Sequence, residues 1–144
     1  MSEGSIVECN LLKTTRIYEI MSSPPVTIFK GESIEAAAKK MYASGVGSIL
    51  VVDEEGRLAG IITRRDLIYL LASGIAKRNP PVERYMVESV ITAREDETAD
   101  DALHRMREAG VRHLAIVDNE GKPVGVVSMF DILMLLARVC IEQG

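Results

Sequence analysis

The sequence predicts a mixed α/β (α+β) fold made of two βαββα repeats, and three observations carry that prediction. Residues 21–72 align without a gap on residues 86–137, an offset of 65, and 16 of the 52 pairs are identical. Identity falls on turn and cap positions as well as apolar ones, among them Met21/Met86, Thr27/Thr92, Gly45/Gly110, Asp53/Asp118, Gly56/Gly121, Gly60/Gly125 and Asp66/Asp131. Each copy also alternates short β-branched runs with stretches of helical period. A repeat of this kind is one supersecondary unit that buries its apolar face on the other copy, so two related clefts are expected.

The elements of the first repeat follow in order. Val26–Phe29 is a short strand, because Pro24-Pro25 bars helix and favours extended entry. Ser33 then caps a helix whose Ile34, Ala37, Ala38, Met41 and Tyr42 share one face, and Gly45 ends it. Two strands, Ser48–Val52 and Leu58–Thr63, flank Asp53-Glu54-Glu55-Gly56-Arg57, which has hairpin-turn chemistry. The unalternating Ile49-Leu50-Val51-Val52 predicts a strand covered on both faces. A second helix over about Arg65–Ala72 stacks Leu67, Leu70 and Leu71, and Ile75–Pro81 breaks the pattern as a linker.

The second repeat copies this plan. Thr98 and Asp101 form a capping box, Ala102, Leu103 and Met106 line the helix face, and Gly110 stops it. Its last helix, Phe130–Ile141, is apolar on almost every side, which predicts a self-association surface. The expected organisation is an N-terminal segment 1–16, a repeat 17–75, a linker 76–81, a repeat 82–138 and an end 139–144.

Composition narrows the function classes. The 144 residues are 47% hydrophobic and 26% charged, within the ordinary range for one globular domain. A net charge of −4 and the lack of a basic stripe argue against a nucleic-acid partner. The cysteines, Cys9 and Cys140, lie outside the repeats, have no metal-ligand spacing and read as small apolar side chains in a reducing compartment. Asp66, Lys77 and Asp131 interrupt the longest apolar runs, and residues 1–10 do not resemble a signal peptide, so a soluble cytoplasmic protein is expected. Neither a phosphate loop, a nucleophile elbow nor a paired-histidine metal motif occurs, and His104 sits on a charged helix face. No catalytic residue, no metal site and no catalytic cofactor is predicted.

One repeated element looks chemical. It is the junction Gly60-Ile61-Ile62-Thr63-Arg64-Arg65-Asp66 and its copy Gly125-Val126-Val127-Ser128-Met129-Phe130-Asp131. A hydroxyl at a strand end with Asp three residues on is a helix cap. The same helix start also offers N–H groups to an anion, and its carboxylate can accept from ribose hydroxyls. Capping and binding are compatible.

Taken in tandem, Met-x4-Val/Ile-Thr, helix, Gly-Val, a strand ending Val-Asp, Gly, then Gly-h-h-Thr/Ser-x-x-Asp resembles a pair of CBS domains (the cystathionine β-synthase domain family). The resemblance covers roughly residues 17–138 and implies a pseudo-twofold pair, or Bateman module, with two clefts between repeats. It implies a regulatory adenosine derivative such as AMP, ADP, ATP, S-adenosylmethionine or methylthioadenosine, and pairing of modules into a homodimer. Carried over, the first cleft combines Ile61, Thr63, Arg64 and Asp66 with Met86, Ile91, Arg112, His113 and Leu114. Asp66 would hold the ribose and Thr63 the phosphate. Arg64, Arg112 and His113 supply positive charge, and Met86, Ile91 and Ile61 sandwich the base. The second cleft combines Val126, Ser128 and Asp131 with Met21, Val26, Gly47, Ser48 and Ile49. There Met129, Gly47 and Ser48 stand where the first cleft has Arg64, Arg112 and His113, so the first prefers a phosphorylated ligand. The second is then empty or takes a neutral or cationic adenosine derivative.

The leading functional expectation is therefore a non-catalytic, energy-sensing module that binds AMP, with ADP or ATP as further ligands, and signals to a protein partner in trans. Residues 1–16 are the candidate contact for that partner or for a dimer. The alternatives are a scaffolding dimer with unoccupied clefts and a sensor of S-adenosylmethionine or methylthioadenosine. An enzyme acting on adenosine nucleotides, or a βαββα sensor of amino acids, leaves more of the repeated motif unexplained.

Overall fold

A computed structural model of the chain describes residues 10–143, with side chains through residue 138. Cys9 and Cys140 both fall outside the described side chains, as do residues 1–9 of the N-terminal segment. The chain forms two compact units, Pro24–Val90 with Asn119–Pro123, and the described residues up to Ser23 with Ile91–Asp118 and the chain from Val124 on.

In the first of these units, β1 (Thr27–Phe29), β2 (Ser48–Val52) and β3 (Leu58–Thr63) form a three-stranded sheet in the order β1-β2-β3. β1 runs parallel to β2 and β2 antiparallel to β3, with Leu50 opposite Ile61. The hairpin between them closes as its sequence predicts, with Asp53 Oδ1 accepting the N–H groups of Glu55 (2.9 Å) and Arg57 (3.0 Å). Val26 ends just short of β1, although its carbonyl still accepts the N–H of Leu50. Ile49, Leu50 and Val51 are fully buried, as expected of a strand covered on both faces.

The helices α1 (Ile34–Ser44) and α2 (Arg64–Ala72) pack Ile34, Ala37, Met41 and Leu70 against Ile28, Ile49, Val51 and Ile62. Two positions depart from the expected faces. Tyr42 is 90% exposed and Leu71 is 71% exposed, because each lies at the edge of its helical stripe where a small angular shift turns the side chain outward. Ser33 Oγ accepts the N–H of Ala36, and Gly45 takes φ 66°, a left-handed cap that a β-carbon would strain. The linker is itself ordered into a 3-10 turn, Ile75–Arg78, followed by a second, Val82–Arg84.

The other unit repeats the plan with β4 (Thr92–Ala93), α3 (Ala99–Ala109), β5 (His113–Val117), β6 (Pro123–Ser128) and α4 (Met129–Gln143). The strand order is β4-β5-β6, with β4 parallel to β5. Ala102, Met106, Leu114, Ile116, Val127 and Ile132 form its core. α4 buries Ile132 and Leu135 and leaves Phe130, Leu133 and Met134 exposed. Among the described residues no helix is long and apolar enough to cross a membrane.

The compact units are not the sequence repeats, since each repeat takes up the segment that precedes the other one. Ile17 is fully buried in the second repeat's core, its N–H donating to Glu97 O at 2.8 Å, and Ala99 N–H donates to Thr15 O. In the same way Val82 is fully buried in the first repeat's core, with its N–H on Glu32 O and Ile34 N–H on Pro80 O.

An ion pair tightens α3 against β4. Arg105 holds both oxygens of Glu97 and donates to Thr92 O at 3.0 Å. The Arg105 guanidinium thus holds the Glu97 carboxyl below its usual range. A carboxyl lowered on folding binds fewer protons in the folded state, so its contribution is complete above the unfolded value of about 4.3 and fades as pH falls through the lower one. Glu97→Gln is expected to flatten the acid side of the melting temperature against pH below about pH 4–5. An unchanged acid side would contradict this.

Candidate functional site

The hydroxyl-x-x-Asp junctions fold as caps with a carboxylate oxygen to spare. Thr63 ends β3 in extended conformation, so its side chain faces the first turn of α2. Asp66 Oδ2 accepts the Thr63 N–H at 2.8 Å and the Thr63 hydroxyl at 2.9 Å, and Asp66 N–H donates back to Thr63 Oγ1 at 3.3 Å. In α4, Asp131 Oδ2 accepts the Ser128 N–H at 2.7 Å, and Asp131 N–H donates to Ser128 Oγ at 3.1 Å. Oδ1 of both aspartates accepts no hydrogen bond among the described residues. Each carboxylate is therefore oriented through one oxygen, leaving the other able to accept from a ligand hydroxyl. Thr63, assigned to phosphate from the sequence, spends its proton on Asp66 here, so donation to a phosphate requires its hydroxyl to turn.

Both helix starts are tied to the foot of the middle strand. Arg64 N–H donates to Gly47 O, and Met129 N–H donates to Arg112 O, each at 2.9 Å. This sets the positive end of each helix dipole beside residues 47–48 and 112–113 respectively. Arg64 lies over Gly47, where a β-carbon on the glycine would stand 3.5, 3.6 and 3.8 Å from three guanidinium atoms. Arg64 and Arg112 are exposed and make no ion pair among the described residues, so their charge is available to an anion. Ser48, Ile49 and Leu114 are buried, and His113 is half-buried and engaged.

Each unit thus gathers part of both predicted clefts. Ile61, Thr63, Arg64, Asp66 and Met86 of the first cleft share a unit with Val26, Gly47, Ser48 and Ile49 of the second. Ile91, Arg112, His113 and Leu114 of the first share the other with Met21, Val126, Ser128 and Asp131 of the second. Arg64, read as a first-cleft residue, lies against the second-cleft residue Gly47, a neighbour the sequence reading did not give it. Two surface depressions of about 210 and 240 Å³ in the first unit include none of these residues. They lie instead around Leu67 and Leu71, and around Arg78 and Arg84. Among the described residues no three His, Cys, Asp or Glu side chains cluster as metal ligands.

The fold is a βαββα unit built twice, and in each copy the third strand ends at a helix start that holds an oriented carboxylate. The family model of the CBS domain matches residues 17–73 and again 82–138, and the chain belongs to that family as a pair of CBS domains. It is 38% identical over 128 residues to an uncharacterized 17.7 kDa protein of Acidianus ambivalens, covering 89% of this chain and 72% of that one. It is 35% identical over 121 residues to L-aspartate semialdehyde sulfurtransferase of Methanocaldococcus jannaschii, covering 84% of this chain but only 23% of the enzyme. Among solved structures, the CBS domain pair of protein MJ0100 in complex with 5′-methylthioadenosine and S-adenosyl-L-methionine superposes with a TM-score of 0.79 at 34% identity, over 86% and 97% of the two chains. A CBS domain protein from Pyrobaculum aerophilum complexed with AMP gives 0.73 at 25% identity, over 85% and 98%.

Proposed function

We propose that this protein is a non-catalytic regulatory module that binds an adenosine-derived ligand, AMP foremost, through residues contributed by both repeats. One observation carries the reading: each junction holds an aspartate by one oxygen and leaves the other open at a helix start. At the first site Asp66 accepts from the ribose and Arg112, with Arg64 and His113, faces the phosphate. Guanidinium suits phosphate oxygens in charge and geometry. Ile61, Met86 and Ile91 supply the apolar surface for the base, whereas Leu114 is fully buried in the core of its unit. The AMP complex of the Pyrobaculum relative supports this choice of ligand.

A second reading concerns the other site, where Asp131 and Ser128 act with Met21, Val26, Gly47, Ser48 and Val126, while Ile49 is fully buried in the core of its unit. The MJ0100 pair, at 34% identity, was solved with methylthioadenosine and S-adenosylmethionine, which carry no phosphate. Gly47 and Ser48 replace Arg112 and His113 there, so a neutral or cationic adenosine derivative is the better match. Arg64, lying on Gly47, is a cation that would temper this preference. A homodimer formed through the exposed apolar face of α4 completes the reading.

Thermal unfolding with AMP, ADP, ATP, S-adenosylmethionine, methylthioadenosine and adenosine tests the proposal. A ligand present at a hundred times its Kd stabilises by about 2.7 kcal/mol, a rise of roughly 8 °C for a domain of this size. A rise with AMP supports the nucleotide module, and a larger one with methylthioadenosine supports the second reading. A flat panel on ligand-free protein would move the assignment to a scaffold.

A further inference from the structure

We infer that Gly60 and Gly125 are positioning residues for the ligand's base, each forming the seat that holds a cleft methionine in place. The inference rests on the functional reading above. A β-carbon at residue 60 would lie 2.5 Å from Met86 Sδ, 2.7 Å from its Cγ and 3.0 Å from its Cβ. A β-carbon at residue 125 would lie 2.6 Å from Met21 Sδ, 3.0 Å from its Cγ and 3.0 Å from the Ser22 carbonyl oxygen. In both repeats the methionine side chain fills the volume that any other residue would claim.

Backbone conformation does not ask for these glycines. Gly45, Gly56, Gly74, Gly110 and Gly121 have positive φ, whereas Gly60 and Gly125 do not. A glycine inside a strand weakens it unless something must approach closely, and here the approaching group is the thioether. The chain beside each methionine is held from the other side. Ile61 and Val87 exchange both backbone hydrogen bonds at 3.0 Å, and Ser22 and Val126 exchange theirs at 2.9 and 3.1 Å. Two backbone bonds and a missing methyl group thus fix an otherwise floppy side chain.

That matters for a ligand because methionine is unbranched, polarizable and pairs well with aromatic rings, but loses the advantage if it is free to wander. Held on its seat beside Ile61 or Val126, the thioether presents a fixed apolar surface to a planar heterocycle. Both sites then share one means of recognising the base, and the difference between them lies in Arg112 and His113 against Gly47 and Ser48.

A double-mutant cycle on the intact protein, read by calorimetric titration of AMP, tests this. Gly60→Ala is expected to weaken AMP at least tenfold with Met86 present and less than twofold in a Met86→Ala background. Equal losses in both backgrounds, or no loss in either, would overturn the inference. Ligand-free melting separates it from the functional reading: whether or not any adenosine derivative binds, Gly60→Ala should lower the melting temperature and added Met86→Ala should recover part of it. If Gly60→Ala fails to fold, folding of the Gly60→Ala/Met86→Ala protein supports the seat, and failure of both overturns it.

Discussion

Asp66→Ala is expected to weaken AMP binding by roughly ten- to a hundredfold. Hydrogen bonds to a charged group are worth about 1.5–3 kcal/mol, and each 1.4 kcal/mol is a factor of ten in affinity. The open Oδ1 of Asp66 is the atom at stake, since Oδ2 is occupied by Thr63. The substitution also removes half of the capping box, so the ligand-free protein should melt a few degrees lower at most, because Thr63 still caps the helix. Asp131→Ala is the internal control. It removes the matching carboxylate from α4, which is assigned to the other site, and should leave AMP affinity at the first site within about twofold. Calorimetric titration of both variants checks the pair, and equal losses would contradict the division into two sites.

The second large effect concerns self-association. Phe130 and Leu133 lie one helical turn apart on α4, exposed at 66% and 57%, with Met134 beside them at 46%. Burying a large apolar side chain is worth about 1.5–3 kcal/mol, so two of them would contribute several kcal/mol to the proposed dimer. Phe130→Glu with Leu133→Glu should shift the protein from dimer to monomer in sedimentation or light scattering. The core of that unit should survive, because Ile132 and Leu135 face inward and are untouched. A monomeric parent protein, or a dimer unmoved by the pair of charges, would contradict the α4 interface.

What the sequence reveals about this fold is mostly local. β2 and β3 are legible residue for residue because an apolar run, a hairpin with Asp53 and Gly56, and a capping Thr63 bound them on every side. Ser33, Thr98, Gly45 and Gly110 mark their helices for the same reason. The partnership of the segments is another matter. Ile17 and Val82 are apolar residues in short 3-10 turns, and nothing in their neighbourhoods says that each joins the repeat it does not precede. Leu71 and Tyr42 fall at stripe edges, where periodicity alone cannot separate inside from outside.

The site shows the same division. Thr63/Asp66 and Ser128/Asp131 are readable as caps because the interaction spans three residues. That Arg64 lies on Gly47, and that Met86 and Met21 sit on Gly60 and Gly125, are non-local facts. In the sequence those glycines are visible only as identical repeat positions, easily taken for turn residues inside a strand.

The most direct measurement is an isothermal titration of AMP into ligand-free protein, with methylthioadenosine titrated into the AMP-saturated complex. Saturable heat at one AMP per chain, followed by independent binding of methylthioadenosine, is the predicted result. Absence of heat from both ligands, or AMP binding indifferent to Asp66→Ala, would contradict the assignment of the two junctions as adenosine sites.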